Sequence, residues 1–450
     1  MKRVLFQTQG CRLNHSETEV LQRSFERYGY RTVPEDESVD ICVVNTCTVT
    51  QQAGVKNRQM LRQLQKKHPN AEIAVVGCYA EMFPEELAEM DGVRIVVGNE
   101  EKMRLAEHIA ESLHLVTSRI VKPKISRKPF QSPVISLGAG RSEFTAEPEI
   151  RSGFRTRASL KIQDGCDFMC SFCIIPFARG RSRYREFVNL LDEAKLFVEE
   201  GVREIVLTGV NIGTYFESGR TLLNVIDALN EIKDLVRIRI SSIEPTTVPE
   251  GVLDRMADDL HKLVPFLHLP VQSGSDPILT AMKRRYTAEA YAAEVMNAWE
   301  RVPGICIGTD VMTGFPGESV KHFQDTRDLL NDLPLTYFHV FPFSARMKTP
   351  AHRMEGRVSP LEIRQRSSVL RKLSDLKRKK MLKSLMGTVQ EVLFEARKPD
   401  GSQSGYTSAY TRVTLEDKGT DALRNRILPV RINSIQGAKV LGSLVASGTC

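Results

Sequence analysis

The sequence predicts an α/β protein in three parts. These are an open parallel α/β domain over residues 1–115, a partial (β/α)6 barrel over 151–375 and a small antiparallel β-barrel over 386–450. Three observations predict it. Apolar strand runs alternate with amphipathic stretches in two separate blocks. A segment at 116–150, interrupted by Pro123, Pro129, Pro133 and Pro148, parts the blocks and reads as a linker. Beyond residue 386 the pattern changes to short β segments between turn residues. A chain of 450 residues is also too long for one core.

In the first block, "RVLFQTQGC" reads as a strand and "NHSETEVLQRSFERYG" as a helix, with Asn14 as its cap and Gly29 as its stop. "ICVVNTC", "EIAVVGC" and "RIVVGN" are further strands, with a helix from about Gln52 to Lys67 and a short one near Pro84 to Met90. The second block holds six strands: "ASLKIQ", "EIVLT", "RIRIS", "FLHLP", "IGTDVM" and "YFHVFP". Eight βα units close the usual barrel, so six imply an incomplete one. A basic stretch from Leu361 to Leu385 has one packed face at Ile363, Leu370, Leu373, Leu376 and Met381. "GTVQEVLFEA", "GYTSAYTRVTL", "ILPVRINSI" and "KVLGSLV" supply the small barrel, an architecture that often holds oligonucleotides.

The net charge of +8, from 63 Lys+Arg against 55 Asp+Glu, permits a polyanionic partner without demanding one. No apolar run approaches the roughly 20 residues of a membrane helix, and the N-terminus is no secretory signal. A cytoplasmic location follows. There, nine cysteines serve as thiols or metal ligands rather than disulfides.

Six of those cysteines form two sets. Cys11, Cys47 and Cys78 each sit just past a parallel strand, on the edge where open α/β sheets bind ligands. Cys166, Cys170 and Cys173, in "DGCDFMCSFCIIP", follow the first barrel strand, at the face where barrels keep their chemistry. Cys42 and Cys306 read as core. No histidine lies near the second set, so a zinc site lacks its usual fourth ligand. Thiolates alone suit an iron–sulfur cluster, which normally takes four. Three leave one iron open, and the fourth ligand is then a substrate or cofactor.

C-x3-C-x2-C after the first strand of a βα barrel resembles the radical S-adenosylmethionine superfamily. The whole chain is similar to its methylthiotransferase family through "TQGCRLN", "VNTCTVT", "VGCYAE", "DGCDFMCSFCIIPFARGRSRYR", "LTGVNIG", "HLPVQSGS" and "TDVMTGFPGE". The resemblance implies a radical SAM barrel and a C-terminal TRAM-like RNA-binding domain. It implies two 4Fe–4S clusters, one on Cys11, Cys47 and Cys78, the other on Cys166, Cys170 and Cys173. S-adenosylmethionine is then both methyl donor and source of a 5′-deoxyadenosyl radical. The family pattern places Thr208, Gly209 and Asn211 near the methionyl end of that cofactor. Ser241, Glu244 and Gln272 line the rest of the pocket, and Asp310 flanks the adenine.

The reaction so implied is methylthiolation at an aromatic C–H, which acid–base chemistry cannot break usefully and a carbon radical can. Implied partners are tRNA at its anticodon loop, an electron donor such as a flavodoxin or ferredoxin, and a sulfur donor. No membrane is involved. Arg179, Arg181, Arg183 and Arg185, with the basic helix, suit phosphates. "GCRLN" looks like the branch acting on N6-threonylcarbamoyladenosine, because the isopentenyl branch has Gln-Met where this chain has Arg12 and Leu13. A threonylcarbamoyl carboxylate also invites a cationic partner. Alternatives are N6-isopentenyladenosine in tRNA, a ribosomal-protein aspartate, and a non-catalytic iron–sulfur RNA-binding protein.

Overall fold

The computed structural model describes residues 1–114, 134–136, 156–417 and 421–445. The chain folds as two compact units. The first contains Met1–Thr145, Asp164–Arg183 and Ser344–His352, and the second contains Ala146–Gln163, Tyr184–Phe343 and Arg353–Cys450.

The first unit contains β1 (Arg3–Thr8), α1 (Arg12–Arg27), β2 (Arg31–Thr32), β3 (Ile41–Thr46), α2 (Gln51–Lys67) and β4 (Glu72–Gly77). It continues with α3 (Cys78–Met82), α4 (Pro84–Ala88), β5 (Val93–Val97), α5 (Leu105–His114) and β6 (Val134–Ser136). The sheet order is β2-β1-β3-β4-β5-β6, with every neighbouring pair parallel. Alternate strand residues feed two cores. Val4, Val43 and Val76 pack with Leu21 and Phe25 of α1, while Leu5, Val44 and Val75 pack with Leu61 and Leu64 of α2. Both faces are therefore covered, as parallel sheets require. Cys42 belongs to the second core, as expected. The segment read as a linker lies outside the described residues except at β6, which pairs with β5.

Asn14 does not cap α1. The helix begins two residues earlier, and the Asn14 amide instead donates to Gln9 O (2.8 Å) and Thr46 O (3.0 Å), tying the helix to the ends of β1 and β3. Gly29, in the left-handed region at φ +79°, follows the last turn as expected.

All six barrel strands are present. They are β7 (Arg157–Lys161), then, after β8 (Gln163–Asp164), α6 (Ile175–Arg179), β9 (Arg183–Tyr184) and α7 (Phe187–Glu199), β10 (Glu204–Thr208). After β11 (Phe216–Glu217), β12 (Arg220–Thr221) and α8 (Leu222–Asn230) comes β13 (Arg237–Ile240). α9 (Val252–Ala257) leads to β14 (Phe266–His268), α10 (Asp276–Ala281) and α11 (Ala288–Arg301) to β15 (Cys306–Thr313), and α12 (Val320–Asp332) to β16 (Tyr337–Pro342). Two parallel three-stranded sheets, β13-β10-β7 and β14-β15-β16, are joined by parallel bridges Ile238↔Leu263 and Ser242↔His268. Cys306 is buried, as expected.

α13 (Pro360–Ser384) starts with a capping box of Ser359 and Glu362 and Pro360 in its first turn. It packs Leu370 into the barrel core. Leu376, expected on that face, is exposed. Serine and arginine take part of the buried stripe instead, with Ser367, Ser374 and Arg366 all buried.

The C-terminal strands are β17 (Val389–Phe394), β18 (Ser404–Thr407), β19 (Arg412–Leu415), β20 (Ile427–Gln436) and β21 (Lys439–Leu444), closed in the order β17-β18-β19-β21-β20. The expected barrel is present but not wholly antiparallel, because β19 and β21 run parallel. An odd number of strands cannot alternate direction around a closed ring, so five strands force one parallel pair. Among the described residues, no helix is long and apolar enough to cross a membrane.

Candidate active site

The strand-end cysteines converge. Cys11 flanks the start of α1, Cys47 follows β3 and Cys78 opens α3. Burial pushes the Cys47 thiol up to about 11; a Val49 backbone hydrogen bond opposes the shift, and Cys78 and Cys11 add to it. Such mutual influence places the three sulfurs in one neighbourhood. Cys47 and Cys78 are buried and Cys11 is exposed, so the trio opens outward through Cys11. Arg346 is also close enough to feel the Cys47 charge, and its buried Nε has no partner among the described residues. Three thiolates brought together, two of them buried, repel one another; a cationic iron core offsets that charge, and this donor set fits a cluster. Among the described residues, neither cysteine trio forms the sub-4.8 Å grouping of ligand atoms that a single ion needs.

Glycines make room for these thiols. Gly10 has φ +111°, and a Cβ there would lie 2.7 Å from Cys47 Cβ and 3.0 Å from its Sγ. Gly10→Ala is expected to displace Cys47, adding about 1–2 kcal/mol of backbone strain. Anaerobic reconstitution and iron assay should find about four irons fewer per chain, the content of one 4Fe–4S cluster.

The second trio belongs to the same compact unit. Cys166 N donates to Gly180 O (3.1 Å), Cys173 N donates to Cys170 O (3.0 Å), and Ala351 N donates to Ser171 O (2.8 Å). Phe168 N lies 3.5 Å from Cys166 Sγ, aimed as a donor to sulfur. The turn bends through Gly165 (φ +70°), where a Cβ would meet Arg181 O at 2.0 Å. Cys170 is buried, while Cys166 and Cys173 are half-buried. No disulfide joins any of the eight described cysteines.

Two contacts tie the trios together. Cys78 and Met82 share an apolar cluster with Ile174 and Ala178, the stretch just after Cys173. Arg179, fully buried, donates to Glu17 Oε1 (2.8 Å), Asp164 Oδ1 (3.0 Å) and Asn14 Oδ1 (2.7 Å). Glu17 also receives Lys102, and Asn99 Nδ2 donates to Ala178 O (2.5 Å). Sequence reasoning missed Glu17, Lys102 and Asn99. The available signal was a carboxylate inside "NHSETEV", nearly two turns past Cys11 on a face that must be buried.

This network corrects the arginine reading. Arg179 is paired internally, Arg185 is buried on Glu193, and Arg183 is half-buried 3.5 Å from Asp164. Of the four, Arg181 alone is exposed. A buried guanidinium satisfied by carboxylates cannot serve a phosphate.

In the second unit, six of the seven residues expected to hold a cofactor lie at or beyond the C-terminal ends of β10, β13 and β14, while Asp310 lies within β15. The Thr208 and Ser241 hydroxyl oxygens, at the ends of β10 and β13, are buried and lack partners among the described residues. A polar ligand would satisfy them. Gln163 Oε1 accepts from Val210 N (2.8 Å) and Asn211 N (2.9 Å), shaping the turn. A Cβ on Gly209 would lie 2.9 Å from that same oxygen. Asn211 Oδ1 accepts from Thr247 Oγ1 (3.0 Å). Burial pushes the Glu244 carboxyl up against the pull of Arg284, whose Nη2 donates to both its oxygens at 2.5 Å. Gln272 sits in the left-handed region at φ +66°, its N donating to Asp310 O (2.9 Å). A non-glycine residue held there costs about 1–3 kcal/mol, and such strain gathers at functional sites. The Asp310 carboxylate turns to His268, with Oδ1 3.0 Å from Nε2.

An incomplete six-stranded βα barrel with C-x3-C-x2-C after its first strand defines the radical S-adenosylmethionine class, and the Radical SAM superfamily model matches residues 160–330. A model described as Uncharacterized protein family UPF0004 matches residues 3–98. The threonylcarbamoyladenosine tRNA methylthiotransferase MtaB of Bacillus subtilis is 35% identical, over 96% of this chain and 94% of that protein. The tRNA-2-methylthio-N(6)-dimethylallyladenosine synthase of Roseobacter denitrificans is 31% identical, over 96% of each. The chain belongs to the methylthiotransferase family of radical S-adenosylmethionine enzymes. Among solved structures, the radical S-adenosylmethionine methyltransferase TsrM of Kitasatospora setae shares the fold, with a TM-score of 0.57 and 18% identity over 90% of this chain and 81% of that one.

Proposed function

We propose that the protein converts N6-threonylcarbamoyladenosine beside the tRNA anticodon to its 2-methylthio derivative. The observation that carries the reaction is the pairing of two three-cysteine sets within one compact unit, each a set of three free thiols among the described residues. Cys11, Cys47 and Cys78 hold one 4Fe–4S cluster, and Cys166, Cys170 and Cys173 hold the other. When bound, the clusters and S-adenosylmethionine supply the electron, the hydrogen-abstracting radical, the sulfur and the methyl group. The protein's own residues bind and orient. Thr208 and Ser241 offer hydroxyls to the polar atoms of the cofactor, and Gly209 and Asn211 set the turn that receives its methionyl end. Glu244, fixed by Arg284, and Gln272, fixed by its backbone, wall the pocket. Asp310 borders the adenine through its backbone. In this reading, the chain comprises in sequence a 1–115 domain, a 151–375 barrel and a TRAM-like RNA-binding domain at 386–450. The enzyme works in the cytoplasm with an electron donor and a sulfur donor.

The threonylcarbamoyl substrate is supported by the names of the MtaB relatives and by Arg12, exposed directly after Cys11. The isopentenyl reading is supported by the relatives named for dimethylallyladenosine. Deleting the gene and digesting total tRNA for mass spectrometry separates them. We expect loss of the 2-methylthio derivative of threonylcarbamoyladenosine and accumulation of its precursor. Loss of methylthio from the isopentenyl nucleoside instead would retain the reaction and overturn the substrate. If neither nucleoside changes, tRNA is not the substrate.

A further inference from the structure

Three ligand-bearing side chains meet inside the barrel, away from both cysteine sets in the sequence. His268 lies on β14, Asp310 on β15 and His339 on β16. Parallel pairing sets Asp310 opposite His339, and sets His268 opposite Gly308, two residues before Asp310. Alternation along a strand puts residues two apart on one face, so all three share it. One ligand atom from each lies within 4.8 Å of the other two. His268 Nε2 is 3.0 Å from Asp310 Oδ1, and the two imidazole rings are 5.6 Å apart. His268 is buried and His339 exposed, so the group is reachable from solvent.

The support around His268 is also built in. Its Nδ1 lies 3.2 Å from Tyr337 Oη. A partner on Nδ1 fixes the ring and leaves Nε2 aimed at Asp310, the outer-shell arrangement that metal-binding histidines use. Gly308 makes this possible, because a Cβ there would lie 2.3 Å from the Tyr337 ring and 2.5 Å from its hydroxyl. The strand therefore carries glycine where the tyrosine must pass to reach His268.

We propose that His268, Asp310 and His339 bind a first-row divalent cation. Two neutral imidazoles and one carboxylate are a donor set for Mn2+, Fe2+, Co2+ or Zn2+, with positions left for water or a substrate oxygen. The site carries one negative charge, which a dication more than offsets. It does not depend on which nucleoside the enzyme modifies.

The test uses anaerobically reconstituted holoprotein and Mn2+, a hard cation that thiolates hold poorly. Room-temperature EPR follows the free aquo-ion, and resting 4Fe–4S clusters are silent in that state. We expect wild type to remove about one Mn2+ per chain from the free signal. His339→Ala and Asp310→Asn should weaken that binding about 100-fold or more, and Tyr337→Phe about tenfold. Iron content equal to wild type certifies each variant as folded. Wild type that leaves the Mn2+ signal untouched would overturn the proposal. So would an iron-replete His339→Ala that binds Mn2+ as tightly as wild type.

Discussion

Cys170→Ala should leave a folded protein that forms no 5′-deoxyadenosine from S-adenosylmethionine. The loop around Cys170 is held by backbone hydrogen bonds at Cys166, Cys173 and Ser171 that do not use the Cys170 sulfur. Losing one buried sulfur costs about 1 kcal/mol in packing, too little to unfold a core of this size. Loss of a thiolate ligand removes the basis of a three-cysteine cluster site. Iron should fall by about four per chain, with tRNA binding by filter retention kept. The opposite pattern, in which fold and tRNA binding fail together, would mark the trio as a structural metal site and favour a non-catalytic RNA-binding protein.

Arg179→Ala is expected to have the largest effect on stability. The guanidinium has 1% side-chain exposure and Glu17 has none, so neither can recruit water when the other is removed. Truncation leaves Glu17 and Asp164 with less compensation in a dry interior. Breaking one partner of such a buried set costs about 3–5 kcal/mol. Lys102 still reaches Glu17 and holds the loss toward the lower part of that range. Because Arg179 bonds α1 beyond Cys11 and the loop beyond Cys173, both trios should lose iron. Hydrogen exchange should rise in residues 12–27 and 164–183 together. Unchanged exchange in residues 12–27 would show that the network does not support the first trio.

Much of the fold was legible. The strands read in the two blocks run to three to eight residues in the structure, and their apolar signal survives wherever a strand is buried on both faces. β2 was not legible, because two residues give no period to read, and β6 was hidden inside the proline-interrupted segment read as a linker. The parallel β19–β21 pair was hidden for another reason: strand direction follows from ring closure, which no single segment encodes. The cysteine sets were readable because spacing and strand ends are properties of the sequence itself. The arginines misled, since "ARGRSRYR" resembles a phosphate-binding run until the carboxylates of Glu17 and Glu193 are seen beneath it. Glu17 lies 162 residues from Arg179, and such long-range charge pairing leaves no mark in either segment alone. His268, Asp310 and His339 were dispersed in the same way, over three strands.

The loop at 164–183 interrupts the barrel sequence yet folds with the N-terminal residues. The unit of inheritance therefore differs from the unit of sequence. A chimaera cut between an N-terminal half and a barrel half would separate Arg179 from Glu17 and Ile174 from Cys78. Exchange between relatives is constrained to carry three discontinuous pieces together: the first sheet, the cysteine loop and the segment at 344–352. A natural hybrid that changed its substrate preference by swapping only the first hundred residues would have to re-evolve the seating of its own radical-generating loop.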